Sequence, residues 1–255
     1  MCTIAILIDV VDSVPIVVGA NRDELYARPT RGPERLAPGI AGGVDVLSGG
    51  TWLAVNANGR FAAVTNQIAL SVPPPGLRSR GLAVVELAAA DDPDGYVAAL
   101  DPTRYASMNL LWRGPTGISI AYTRREQGTI EIERLDRGVH VLCNDRLRAP
   151  GFPRCERLLG TIERALADDP TWPALIEPLA SALADHTRVP VEEVPPSHLA
   201  PELARELTAN CIHSADYGTR SSALLALADD HVIDYRHAFG PPCAAPFVSR
   251  MDLLR

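Results

Sequence analysis

Apolar residues fill positions 2–8 and 15–20 without alternation, separated by a short polar stretch from Asp9 to Val14. Runs this short suit strands buried on both faces rather than amphipathic helices, so the chain is expected to open with a central hairpin whose first strand begins at Cys2. The stretch from Asn21 to Gly50 is rich in Pro, Gly and charge. It reads as a long loop leaving the second strand, of the kind that often carries function. A second hairpin is expected over 51–55 and 61–66, turned by Asn56-Ala57-Asn58-Gly59, because the Asn-Gly step adopts positive φ at low steric cost.

After Pro73-Pro74-Pro75, residues 82–90 and 96–100 read as helical, and four strand-like stretches follow near 108–113, 117–122, 129–134 and 138–143. Helix returns over 154–168, where Cys155, Leu158, Leu159, Ile162, Ala165 and Leu166 share one face and Pro153 stands near the start. A second helix over 172–184 leads into a connection containing Pro190, Pro195 and Pro196, and two more strands are expected at 220–227 and 231–237. Strands arriving as antiparallel hairpins, with helices grouped between strand runs, argue for α+β layering rather than a doubly wound parallel sheet. The paired glycines Gly42-Gly43 and Gly49-Gly50 lack the spacing of a nucleotide fingerprint.

Composition narrows the function classes. The 255 residues are 47% hydrophobic and 22% charged, enough for a substantial core, and are read as one domain spanning 1–255 without metal or disulfide staples. The formal net charge is -7, with Arg, Asp and Glu interspersed, so no basic stripe points to nucleic acid. Five cysteines, an odd number without a Cys-x-x-Cys pair, fit a reducing compartment. The start has no basic leader, and its apolar run meets Asp9 too soon to span a membrane, which makes the cytoplasm the expected location. The oligomeric state is not legible.

Candidate chemistry begins at Cys2. Met1 precedes a small residue and is removable, and the product would carry a thiol and a free α-amine on one residue. An α-amine of pKa about 7.7–8.0 can take a proton from a thiol of pKa about 8.5, which makes an activated nucleophile. Taken alone, Cys2 also fits an inert buried cysteine at a strand start.

Further motifs shift that balance. Asn21-Arg22-Asp23-Glu24 follows the initial Met1-Cys2, and Gly49-Gly50-Thr51-Trp52-Leu53, Thr65-Asn66, Ser79-Arg80-Gly81 and Tyr217-Gly218-Thr219-Arg220-Ser221-Ser222 come after it in order. With these the chain resembles the NRDE family, also called the transport and Golgi organization protein 2 family. The resemblance implies a four-layer αββα sandwich of the N-terminal nucleophile hydrolase type, two antiparallel sheets between helical layers. It is also similar, more distantly, to cysteine-type choloylglycine hydrolases and penicillin V acylases, in which an Arg-Asn-x-Asp stretch ends the second strand. Here that run is Ala20-Asn21-Arg22-Asp23, so Asp23 matches and the arginine is displaced to Arg22.

That likeness implies Cys2 as nucleophile and Asp23 orienting its α-amine. Asn66 and Asn144 would shape an oxyanion site, with Arg220 favouring the thiolate. Asn21, Arg22, Glu24, Thr51 and Trp52 would contact the substrate. On the residues alone, Asn66 and Asn144 are equally strand-ending asparagines, Arg22, Asp23, Glu24 and Arg220 surface ion pairs, and Trp52 core. No cofactor is expected. The histidines show no ligand spacing, and Cys211-x-His213 stands as a lone pair of metal-ligand types, so no metal is expected. The partner is a small molecule: an amide or thioester substrate, or haem or acyl-CoA carried without turnover, both of which the family has been linked to.

Overall fold

The computed structural model describes residues 2–67, 74–167 and 170–255. The strands in chain order are β1 (Cys2–Val11), β2 (Val14–Leu25), β3 (Thr30–Ala37), β4 (Ile40–Asp45), β5 (Leu53–Asn56), β6 (Phe61–Asn66) and β7 (Met108–Gly114). They continue as β8 (Gly117–Arg124), β9 (Thr129–Arg134), β10 (Gly138–Leu142), β11 (Tyr217–Leu227), β12 (Val232–Ala238) and β13 (Val248–Ser249). The helices are α1 (Arg80–Ala89), α2 (Pro93–Ala98), α3 (Pro153–Ala165), α4 (Trp172–Leu183) and α5 (Pro201–Glu206). A six-stranded sheet has the order β10-β1-β2-β11-β12-β13, and a seven-stranded sheet runs β3 to β9 in sequence. Every pairing among the described strands is antiparallel.

The unbroken apolar runs of β1 and β2 follow from their place in the middle of the first sheet. Cys2, Ile4, Ile6, Val18 and Ala20 face the second sheet, in one core with Leu53, Val64 and Leu110. Ala5, Leu7 and Val17 face the other way and pack with Leu158 and Ile162 of α3 and Leu175 and Leu179 of α4. A strand covered on both faces has no position for a solvated residue, so alternation disappears. Helices α1 and α2 lie against β5, β6 and β7 of the second sheet. The result is the α+β sandwich of four layers that the resemblance implies.

The stretch from Asn21 to Gly50 is not a loop. β2 continues to Leu25, and β3 and β4 form a hairpin after it. Polar residues belong in β2 here because buried partners await their side chains. β3 is an edge strand, half-buried, with register shifts flanking Pro33, and an edge tolerates a proline that a central strand does not. Glycines serve β4 for a different reason: a Cβ on Gly42 would lie 2.4 Å from the Leu53 carbonyl of the neighbouring strand.

Other boundaries move less. β5 starts at Leu53 rather than Thr51, α1 at Arg80 rather than 82, and β11 at Tyr217 rather than 220. α3 ends at Ala165, and position 168 lies outside the described residues. The expectation of unpaired cysteines is corrected at one place. Cys143 just after β10 and Cys155 in the first turn of α3 are joined as a disulfide, because α3 folds back along β10 and brings their Cα atoms to 6.8 Å.

One close approach sets where α1 begins. Gly50 has φ +77°, and a Cβ there would fall 2.1 Å from the Gly81 carbonyl carbon. The Ser79 hydroxyl donates to Gly49 O at 3.0 Å, and Thr51 N donates to Gly81 O at 3.1 Å. Gly50→Ala is therefore expected to destabilise the protein by about 1–3 kcal/mol from backbone conformation alone, with the clash added. Urea unfolding of the two proteins checks it, and an unchanged midpoint would contradict the packing.

Candidate active site

The register between β1 and β2 pairs Cys2 with Arg22. Directly opposed residues on antiparallel strands leave the sheet on the same face. Cys2 and Arg22 accordingly line one cavity of about 690 Å³, with Asp23, Glu24, Thr51, Trp52, Asn66, Arg78 and Arg80 also on its wall. The position matching the family arginine is Ala20, which pairs with Ile4 deeper in the core. The displaced Arg22 is thus the guanidinium set beside the cysteine. It is 4% exposed, donates to Thr30 Oγ1 at 3.3 Å and lies 3.6 Å from Asp45 and 3.8 Å from Glu24.

Asp23 is anchored from the helical side. Arg154 Nη1 donates to its Oδ2 at 3.2 Å, and the Thr219 hydroxyl donates to its Oδ1 at 2.8 Å. Arg154 Nη2 donates to Asn144 Oδ1 at 2.9 Å, and Asn144 Nδ2 donates to Asn66 O at 2.7 Å. One buried guanidinium therefore fixes the Asp23 carboxylate and the orientation of the Asn144 amide. A second cavity of about 530 Å³ shares Glu24 and Asn66 with the first, and adds Asn144, Phe152, Pro195, Pro196, Leu199, Leu203 and Leu207. The polar end of one space opens beside the apolar lining of the other.

Three expected residues lie off the wall that holds Cys2: Asn144 lines the second cavity, and Asn21 and Arg220 lie elsewhere. Asn21 faces the helices, where its Nδ2 donates to Leu183 O and Asn210 O, each at 2.9 Å, and its Oδ1 accepts from Ser222. It pins β2 to the chain after α4 and does not line the cavity. Arg220 sits at a register shift in β11, and its Nη1 donates to the carbonyls of Leu25 and Tyr26 at 2.9 and 2.7 Å. The bulge turns it onto the β2–β3 connection, away from Cys2. Thr51 is at the cavity, but its hydroxyl is committed to Leu53 O.

Arg80 and Arg154 complete the site without having been expected there. Arg80 belongs to the Ser79-Arg80-Gly81 motif and donates to Ser107 O at 3.3 Å. Among the described residues it has no carboxylate partner within ion-pair distance, although Arg22, Arg28 and Arg78 all do. Burial lowers its pKa while the Cys2 sulfur opposes this, and a guanidinium remains charged at neutral pH on the wall that it shares with Cys2. Arg154 was readable from spacing. It precedes Leu158 and Ile162 on the buried face of α3, and a charge on such a face requires a partner.

Burial pushes the Cys2 thiol above its ordinary pKa, the positive charge of the N-terminus opposes this most, Asp23 and Glu24 add to the rise, and Arg22 also opposes it. The neutral thiol is therefore the resting form at pH 7. Nucleophilic attack from it requires a base at the moment of reaction rather than a standing thiolate.

Two antiparallel sheets stacked between helical layers, with a cysteine at the head of the first strand facing a cavity at the strand ends, define the N-terminal nucleophile hydrolase fold. Solved structures agree on the fold. A cysteine-to-alanine mutant of conjugated bile acid hydrolase from Clostridium perfringens superposes with TM-score 0.54 at 10% identity, over 98% of this chain and 96% of that one. An arginine-to-leucine variant of the same hydrolase gives 0.56 at 12%, over 97% and 96%. The Caenorhabditis elegans ortholog of N-acylethanolamine-hydrolyzing acid amidase gives 0.50 at 11%, over 89% and 92%.

The chain belongs to the Transport and Golgi organisation 2 family, whose model matches residues 1–236. Its relatives include the transport and Golgi organization protein 2 homologs of Bos taurus, 29% identical over 238 residues, and of Homo sapiens, 28% identical over 236. Each alignment covers 85% of this chain and 84% of the relative. No described helix is long and apolar enough to cross a membrane.

Arg154→Ala leaves the Asp23 carboxylate buried against fewer donors and is expected to cost about 3–5 kcal/mol, read from denaturant unfolding. A loss under 1 kcal/mol would mean that the pair is solvated. With the Cys2 thiol raised by burial, its alkylation in protein that retains Met1 should be slower at pH 7 than that of a free cysteine. It should climb through and beyond pH ~8.5. Peptide mapping of brief labelling across pH checks the sign.

Proposed function

We propose that this protein is an N-terminal-cysteine hydrolase of a small amide or thioester, active once Met1 is removed. The observation that carries the reading is the placement of Cys2 on a preformed cavity that Arg22 and Arg80 also line, with Asp23 and Asn144 held by one buried arginine. In this reading the α-amine freed on Cys2 takes the thiol proton as sulfur attacks the carbonyl carbon, and the carbonyl oxygen becomes an oxyanion. Asn144 has one amide hydrogen on Asn66 O and a second to offer that oxyanion. The protonated amine then returns its proton to the departing amine or thiol. Water, activated by the same amine, releases the acid from the thioester on Cys2.

The solved bile acid hydrolase lends support, since the residue altered in its mutant is a cysteine at the second position, the position of Cys2 here. The paired cavities suggest the substrate's shape. Arg80, with no carboxylate partner among the described residues, suits an anionic or strongly polar group, and the wall from Phe152 to Leu207 suits an acyl chain. The same two features support a second reading, a carrier of haem or acyl-CoA that binds through arginines and an apolar groove without turnover.

The two readings part on Cys2-dependent product. Intact mass first establishes whether the chain begins at Cys2. With wild type and Cys2→Ala assayed on acyl amides and thioesters, hydrolysis predicts acid release that Cys2→Ala abolishes while ligand affinity is kept, and an Asn144→Ala loss of roughly 10²–10³-fold in turnover. Saturable binding without Cys2-dependent product from any of these substrates would overturn the hydrolase reading. Full retention of Met1 in protein from its native source would end the free-amine mechanism.

A further inference from the structure

On the side of the first sheet away from the cavity, four side chains distant in sequence converge. His186 follows α4, Cys211 and His213 precede β11, and Cys243 lies in the loop after β12. Their ligand atoms all fall within 4.8 Å of one another. The Cys211 and Cys243 sulfurs are 3.7 Å apart, and His213 Nε2 is 3.5 Å from the first and 3.3 Å from the second. Zinc in a tetrahedral site holds sulfur at about 2.3 Å and nitrogen at about 2.0–2.1 Å, which sets its sulfurs about 3.8 Å apart and each sulfur about 3.5 Å from a nitrogen. The three measured edges are those of one face of that tetrahedron.

The fourth corner is prepared as well. His186 Nδ1 lies 3.1 Å from the Cys211 carbonyl, which can only accept, so Nδ1 carries the proton and Nε2 keeps its lone pair. A ring nitrogen donating to a backbone carbonyl while the other binds the metal is the usual outer arrangement of a metal-bound histidine. The His186 and His213 rings stand 5.0 Å apart, tilted by 42°. With a 4.8 Å limit on any edge, closing the tetrahedron needs a movement on the order of 1 Å from exposed side chains.

The backbone that presents these groups is itself tied down. Cys211 N donates to Asp185 O at 2.9 Å, and the Asp185 carboxylate accepts from Thr187 N and from Arg157 at 3.0 Å each, which fixes the loop on both sides of His186. His213 pairs with Gly218 across a β-bridge, and Ala244 and Ala245 N both donate to Pro241 O in the turn that carries Cys243.

We propose that His186, Cys211, His213 and Cys243 form a binding site for one zinc-class divalent cation. Two thiolates and two neutral imidazoles give a borderline-soft, tetrahedral donor set that favours zinc over magnesium or calcium, and the thiolates balance the charge of the ion. All four corners are protein ligands, so the site is structural. It clamps the chain after α4, the segment entering β11 and the loop after β12. That segment also supplies Asn210 O to Asn21 and Ile212 N to the Thr219 hydroxyl, which in turn binds Asp23. The cation thus braces the outer support of β2 without touching Cys2. The site stands independently of any hydrolase activity.

The full chain, purified without chelator under oxygen-free conditions, is expected to carry one zinc per molecule by elemental analysis. Replacement with cobalt(II) should give the intense near-ultraviolet thiolate charge-transfer band and the visible bands of a tetrahedral ion. Cys243→Ser and His186→Ala alter exposed residues and should fold. The first should weaken the charge-transfer band by about half, as one of two thiolates is lost, and both should lower zinc retention against a competing chelator at least tenfold. Full metal retention in both variants would overturn the assignment. So would a protein that takes up no cobalt, or one in which peptide mapping finds Cys211 and Cys243 joined as a disulfide under those conditions.

Discussion

Arg154 and Asp23 form an ion pair whose side chains are 2% and 0% exposed, joining the first turn of α3 to the end of β2. Two charges taken out of water persist only where the geometry of both is closely defined, and removing either leaves the other buried with its main compensation lost. The surroundings meet that demand: Thr219 takes the second oxygen of the carboxylate and Asn144 takes the second nitrogen of the guanidinium. Arg154 Nε finds no acceptor among the described residues, so the arrangement leans on the packing of α3 against the sheet. Arg154 in turn holds the Asp23 carboxylate at the end of β2 and the Asn144 amide just after β10.

The cavity beside it combines features that pull in opposite directions. Burial makes Cys2 a weak acid, and the nearby carboxylates reinforce the effect, while Arg22 and Arg80 supply positive charge on the same wall. A buried thiol of this kind stays neutral until a base is provided, and under the proposed hydrolysis the α-amine on the same residue would be that base. The second, apolar space sharing Glu24 and Asn66 suits one ligand with both a polar and an apolar end.

Support for β2 comes from the opposite side of the sheet. Asn21, matched by motif to the site, faces away from the cavity and bonds the backbone at Leu183 and Asn210. The motif Asn21-Arg22-Asp23-Glu24 therefore divides its work by strand alternation: Arg22 and Cys2 face the other sheet, and Asn21 and Asp23 tie β2 to the helical layer. Arg220 makes the same point from β11, where a register shift separates it from the cavity although its neighbours Thr219 and Ser221 remain paired with β2.

Local signals sufficed wherever a residue's environment is dictated by its own strand or helix. The double-faced apolar runs of β1 and β2, the Asn-Gly hairpin turn and the apolar stripe of α3 were all legible, and the ordered motifs carried the layered fold and Cys2. The hairpin of β3 and β4 was not, because its prolines and glycines serve an edge strand and a close crossing that depend on neighbours far along the chain. Arg154 as partner of Asp23, the exclusion of Asn21 and Arg220 from the cavity, and the gathering of His186, Cys211, His213 and Cys243 were likewise settled only by tertiary structure. Sequence reveals periodicity and adjacency, whereas a buried charge, a bulge or a ligand set is decided by which distant backbone arrives within a few ångströms.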